Sequence, residues 1–345
     1  MPGVVAPAPR EQGWTRVVIA TVVFLLFARA PGARALLPVM DTYLLLFPAL
    51  TACFVAGWAA GGPGSLAFVW TLMTAALFAL PSPGGSAAYY DVARAWGLFV
   101  AGGLGVVCIV VTRGTFLRRA FAAVGVAVIG AGIFAGAAAL SPSGLARVFA
   151  GEFAARNAAS AATFARFAAR VSAVIPSAAA WAAAKTVAIG EASAVVASPL
   201  VPALLVLEAL TACALAWALY HRFSRARLGP PLASLRQFTF GHEVVWPLIL
   251  GGLLVAVPTV RGGDAGRLGA NLVVLFGALF ALRGAGVAAW FVPVRRAAAQ
   301  CAALLAALAL APITVPAALG LGVADNWLDW RGLARSPSPA APSID

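Results

Sequence analysis

Apolar runs of about 20 residues, each closed by Arg, Pro or Gly, recur along this chain and constrain it more than any other feature. Wound as an α-helix, such a run matches the ~30 Å hydrocarbon thickness of a bilayer. Runs of this kind fall at 14–30, 42–60, 65–81, 92–112, 121–140, 199–220, 244–260, 270–292 and 298–321. Composition agrees: 62% of the residues are apolar and 10% are charged, where a soluble domain carries ~25% charged residues. A water-soluble core of 345 residues cannot hide that much apolar surface, and a disordered chain would be polar and charge-rich. The expected fold class is an all-α, polytopic transmembrane helix bundle of eight or nine spans.

The 24 basic residues outnumber the 11 acids, for a formal charge of +13, and Lys185 is the single lysine. The arginines lie between apolar runs, where they set orientation and meet anionic headgroups. No basic helix or aromatic stacking platform stands outside those runs, which argues against a nucleic-acid partner. Ala184-Lys185-Thr186 lacks the glycine of a phosphate-binding loop, so ATP-driven work belongs to a separate subunit. Cys53, Cys108, Cys213 and Cys301 each sit in an apolar run, form no CxxC pair and read as small buried hydrophobes. His221 and His242 do not have metal-ligand spacing. No Ser/His/Asp or paired-carboxylate arrangement stands out, so no catalytic residue, metal or cofactor is expected.

The runs organise the chain. Residues 1–13 form an N-terminal tail, and 14–140 hold spans one to five, the first read as retained because no clean signal-peptide cleavage site follows it. Residues 141–197 are Ala-rich but carry Arg147, Glu152, Arg156, Arg166, Arg170, Lys185 and Glu191, too many charges for hydrocarbon. Leu145, Val148, Phe149 and Phe153 share one helical face, as do Phe164, Phe167, Val171 and Val174. With Ser141-Pro142 opening the first helix and Pro176 interrupting the second, the segment reads as an extracytoplasmic amphipathic helical hairpin on the membrane or capping the bundle. Residues 198–331 hold spans six to nine, and 332–345 form a disordered Pro/Ser/Ala-rich tail. The Arg clusters at 113–119, 222–236 and 295–296 are each separated by an even number of spans and can all be cytoplasmic. Counting from them places the N-terminus inside and the C-terminus outside, unless the Pro312- and Pro316-containing ninth run re-enters.

Two ionisable residues lie deep in apolar runs, Glu208 and Arg283. Such residues are costly, face the bundle interior and find a partner; their depths suit a Glu208–Arg283 pair or a shared polar cavity. Asn271 opens the eighth run as a helix cap or polar ligand contact, and Asp41 reads as a cap on the second. The GxxxG spacings Gly57/Gly61 and Gly132/Gly136, with Gly102, Gly103 and Gly105, promise close helix approach. Beyond the last run, Asp325, Trp327, Asp329, Trp330 and Arg331 crowd together, as an interfacial belt with an Asp–Arg pair or as a docking motif.

These residues carry a family resemblance. Residues 199–331 resemble the YybS-like predicted bacterial membrane proteins. The likeness rests on Pro199 or Pro202 starting a span, the loop ALYHRFSRARLGPPLASLRQF, Asn271-Leu272, Arg283-Gly284 and the closing GVADNWLDWR. Where this chain has Arg283-Gly284 the family tends to show Gln-Gly. Such proteins are distantly similar to the substrate-binding membrane subunits of energy-coupling-factor transporters, an analogy of fold. The expected role is that of a small-molecule transporter or its substrate-binding subunit in the bacterial plasma (inner) membrane. Its expected partners are the lipid bilayer, a small-molecule ligand and a separate ATPase. The alternative is a structural or regulatory membrane protein that binds envelope proteins.

Overall fold

The computed structural model describes residues 39–80, 87–111, 114–138, 141–172, 176–224, 228–257, 263–292 and 310–333, with 299–300, 302–303 and 306–307. The tail 1–13, the run 14–30, Arg113, Arg225, Arg227, Arg295, Arg296, Cys301 and the tail from 334 lie outside them, as do the side chains of Asp41, Phe153, Arg156, Phe164, Phe167 and 171–198. The regular elements among the described residues are all helices, without a strand. The helices are α1 (Val39–Ala59), α2 (Gly64–Ala79), α3 (Ala87–Val110), α4 (Phe116–Ala137), α5 (Pro142–Ser172), α6 (Pro176–Phe223), α7 (Val245–Ala256), α8 (Asp264–Phe291), α9 (Ala311–Leu328) and the short α10 (Trp330–Leu333). Among the described residues, four stretches are long and apolar enough to cross a membrane: α3, α4, Pro199–Phe223 of α6, and α8; Tyr43–Ala59, Gly64–Ala79 and His242–Ala256 are shorter apolar helices. Large apolar side chains such as Phe68, Ile133 and Ile313 point outward, about 70% exposed, the pattern of a lipid-facing surface.

The chain divides into two compact units, Met1–Val201 with Leu205–Leu232, and Pro202–Leu204 with Ala233–Asp345. In the first, α3 packs between α1 and α4. Close approach depends on glycine where the sequence suggests it in part. Added Cβ atoms at Gly97 and Gly103 would strike the carbonyl oxygens of Leu44 and Ala123, and one at Gly57 would strike the Tyr220 ring. Gly102, Gly132 and Gly136 meet nothing within 4 Å, so those positions of the expected small-residue faces bring no described helices together. Phe54 stacks on Trp70 at 5.6 Å, and Leu44, Tyr89, Tyr90 and Phe149 form a buried cluster. Phe149 of α5 thereby turns inward as its periodicity requires, with Ser141 Oγ capping the helix at Gly144 N–H (3.0 Å). Cys53, Cys108 and Cys213 are buried free thiols. One difference is large: α6 runs unbroken for 48 residues, through the 197/198 point where the hairpin was expected to end. At 1.5 Å per residue it is ~72 Å long, more than twice the hydrocarbon thickness. Pro199 and Pro202 lie inside this helix without ending it, so the second arm of the expected hairpin and the sixth span are one element.

In the second unit, α8 is the spine. An added Cβ on Gly251 of α7 would sit 2.9 Å from the Gly269 oxygen, and one on Gly269 2.9 Å from the Gly251 oxygen. Because Cβ leans toward a helix's N-terminus while its carbonyls point toward the C-terminus, reciprocal contact of this kind means the helices are antiparallel. Likewise Gly284 abuts the Ala318 oxygen and Gly322 abuts the Phe280 oxygen, so α9 also runs antiparallel to α8. Stepping residue against residue, Val245 at the start of α7 comes level with about Leu275, and Leu328 at the end of α9 with about Val274. Both points lie near the middle of the 28-residue α8. Two half-length helices thus cover opposite halves of one long one. Before α7 the chain is an unwound strap beside the other half of α8, with the Leu235 oxygen against Gly286 and the Phe240 ring 5.0 Å from that of Phe280.

Two expected spans are therefore corrected. Of the seventh, 244–260, the described part is α-helical over Val245–Ala256: Pro230, Pro231 and Gly241 break the chain before it, and Val257 is held extended ahead of Pro258. Of the ninth, 298–321, the described residues 299–300, 302–303 and 306–307 are helical, and α9 starts at Ala311 and runs past the expected end to Leu328. Residues 320–326 thus belong to the helix, not to a belt beyond it.

Candidate functional site: a buried charge knot beside an unwound strap

The sequence signals in the second unit converge where the strap passes α8 and the end of α9. A backbone unwound among apolar helices leaves carbonyl oxygens without helical partners, and each such group is expensive away from water. Here two guanidiniums supply the donors. Arg331 donates to the carbonyl oxygens of Arg236 (3.0 Å) and Phe238 (3.1 Å), and Arg283 to that of Phe240 (3.3 Å). The three acceptors are every second residue of the strap, the first of them in the 3-10 turn Leu235–Gln237.

One carboxylate serves both cations. Asp325 Oδ2 accepts from Arg283 Nε at 2.9 Å and from Arg331 at 2.6 Å. Arg283 also donates to Asn326 Oδ1 (2.9 Å) and to the Asp325 carbonyl (3.0 Å), and its guanidinium lies 5.2 Å from the centre of the Phe240 ring. Asp325 and Asn326 are fully buried and both arginines nearly so. Their helices explain the meeting. Antiparallel packing brings Asp325 level with about Gly277, and a long helical side chain such as Arg283 leans toward its own N-terminus, closing the gap. Gly284 and Gly322 let the two backbones touch, which draws the charges into contact. Asp325 Oδ1, Asn326 Nδ2 and Arg331 Nε have no partner among the described residues. With two cations, one anion and desolvated neighbours, the knot carries an excess positive charge that the strap carbonyls offset.

The expected residues are distributed as follows. Arg283 was matched by depth with Glu208, but the carboxylate it pairs with is Asp325; Glu208 is a half-buried residue of α6 in the first unit. Asn271 does not cap α8, which starts at Asp264 behind Gly263. Its Oδ1 accepts from the Ala203 N–H (2.9 Å) and its Nδ2 donates to the Arg267 carbonyl (2.8 Å). The closing motif splits. Asp325 and Arg331 turn inward, Trp327 is 63% exposed, and Trp330 is half-buried. Asp329 ends α9 in the left-handed region (φ 39°) and accepts from the Gly332 N–H. Sequence reasoning missed Asn326 and the strap oxygens. The crowding of charges after 320 marked the neighbourhood, but nothing local marks a backbone carbonyl as an arginine's target.

A second grip lies in the first unit. Arg119 donates to the Leu228 carbonyl and lies over Trp217, Trp217 Nε1 donates to the Pro230 oxygen (3.0 Å), and a ring nitrogen of His221 meets the Gly229 oxygen at 2.9 Å. Three consecutive carbonyls of the basic loop are thus held by α4 and α6. Trp217→Phe removes one of these bonds and leaves the Pro230 oxygen without that donor. It is expected to lower stability by about 1 kcal/mol, read as a fall in thermal midpoint; an unchanged midpoint would show that the loop is held by other means.

A family model described as predicted membrane protein (DUF2232) matches residues 182–326, which takes in all but the first six residues of α6, the strap and the knot except Arg331. No curated protein and no solved structure matches the chain. The chain is similar over that region to a family of predicted membrane proteins.

Proposed function

We propose that this chain is a small-molecule transporter, or the substrate-binding membrane subunit of one, in the bacterial plasma membrane. The observation that carries this reading is that, level with the middle of the continuous α8, α7 begins, α9 ends and an unwound strap lies beside buried charges. Half-helices and unwound backbone near the bilayer midplane, with ionisable residues beside them, are the arrangement that transporters use for substrate and ion sites. Energy comes from a separate subunit, and the chain itself performs no covalent chemistry. In this reading the chain crosses the membrane eight or nine times with its N-terminus cytoplasmic, and Arg118, Arg119, Arg222 and Arg236 stand on the cytoplasmic side. The YybS-like assignment, and through it the analogy to energy-coupling-factor subunits, belongs to the same proposal.

A second reading is a structural or regulatory protein of the envelope. It is favoured by the saturation of Arg283, whose donors are committed to Asp325, Asn326 and the Phe240 carbonyl. Native mass spectrometry of the detergent-purified protein separates the two. A stoichiometric small molecule is the expected result. An empty protein, or one that retains only envelope proteins, would overturn the transport reading in favour of the second.

A further inference from the structure

We infer that His242 and Glu243 form a water-accessible polar face at mid-height of the second unit, and that this face takes a small cationic solute. The inference rests on the transport reading and names the side chains that meet the solute. Both residues directly precede Val245, so they stand near the level of Leu275, about halfway along α8. An apolar helix flanked by charged Asp264 and Arg267 at one end and Trp290 near the other would bring that level deep into the bilayer. Yet Gly241, His242 and Glu243 are all exposed with the whole chain in place. Neither side chain has a hydrogen bond or ion pair to any of the described residues. A carboxylate turned toward hydrocarbon at that depth is costly, and ionisable groups there face the protein interior or water. Exposure excludes the interior, which leaves water.

The sign of the solute follows from which charges are free. The knot's cations are engaged: Arg283 on Asp325, Asn326 and the Phe240 oxygen, Arg331 on Asp325 and two strap oxygens. What remains at this height is the Glu243 carboxylate, the His242 ring, the C-terminal end of α9 and the N-terminus of α7, whose positive half-charge offsets that of the α9 end and leaves the carboxylate's negative charge. The buried knot is then the frame that holds the strap, and the exposed pair beside it is what a solute touches. A protonated amine or another small cation fits these groups; a carboxylate does not.

Thiol chemistry tests this in membrane vesicles of the full chain with Cys53, Cys108, Cys213 and Cys301 replaced by alanine. His242→Cys is expected to react with water-soluble methanethiosulfonates, as exposed Ser234→Cys does, whereas Trp246→Cys, exposed but apolar in its surroundings, reacts slowly. The trimethylammonium reagent should outpace the sulfonate reagent at His242→Cys by about tenfold, the ratio that a local potential of about one kT per unit charge gives for reagents two charges apart. Adding Glu243→Gln should abolish that preference while the protein still elutes as a single species. An unreactive His242→Cys beside a reactive Ser234→Cys would overturn the aqueous face, and equal rates for the two reagents would overturn the cation preference. A stoichiometric small molecule found in a protein whose His242→Cys is unreactive would leave the transport reading standing and remove only this assignment.

Discussion

Asp325→Asn is expected to be the most damaging conservative substitution in the second unit. It keeps the shape of the side chain but removes the only negative charge shared by Arg283 and Arg331, both nearly buried. Two guanidiniums are then desolvated without a counter-ion. Breaking a buried pair from one side costs about 3–5 kcal/mol, because the orphaned charge has lost its water. The strap should loosen too, since both arginines hold its carbonyls. The check is thermal unfolding in detergent, with Asp329→Asn, an exposed carboxylate one turn on, as the comparison. A clear fall for Asp325→Asn and little change for Asp329→Asn is the expected outcome. Equal, small effects would mean the knot contributes nothing to stability. Replacing both ends of the pair, Arg283→Met with Asp325→Leu, should cost less than the two single changes added together, since the double variant leaves no unpaired charge from that pair.

Gly284→Ala is expected to cost about 3 kcal/mol, the upper part of the range for overpacking. A methyl there falls on the Ala318 carbonyl oxygen and beside the Gly322 nitrogen, which are backbone atoms of α9 and cannot rotate away. The helices must separate, and separation stretches the Arg283–Asp325 contact next to it. Gly277→Ala, on the same helix with nothing within 4 Å of an added Cβ, is the control. It should be neutral or stabilising by up to ~1 kcal/mol through helix propensity alone. If the two alanines behave alike, the close packing of α8 on α9 is not what holds this unit together.

Part of this architecture could be read from the residues. Runs such as 92–112 and 121–140 appear as α3 and α4 because uninterrupted apolar sequence has one stable form in a bilayer, a helix that satisfies its own backbone. The turn Gly61-Gly62-Pro63-Gly64 between α1 and α2 was equally plain, and Gly61 there has φ of 91°, a conformation that favours glycine. Arg283 was marked by its cost in hydrocarbon, and Asp325 and Arg331 by their crowding. At 244–260 hydropathy found the helix but did not show that it ends at Ala256, where Val257 turns extended ahead of Pro258. At 298–321 the described residues 299–300, 302–303, 306–307 and 311–321 are helical, but hydropathy did not show that α9 runs on to Leu328.

What the sequence determined by itself is the class of solvent and the class of element: lipid, and helix, for reasons of composition and backbone satisfaction. It also determined that a charge such as Arg283 must have a partner. Which partner was decided only by tertiary structure. Depth within separate runs suggested Glu208, but depth has no azimuth and no register. The contact of Gly284 and Gly322 with facing backbones sets the register of α8 on α9 and so delivers Asp325 to Arg283. The unwound strap in turn explains why two arginines stand there, since its carbonyls have no helix to satisfy them.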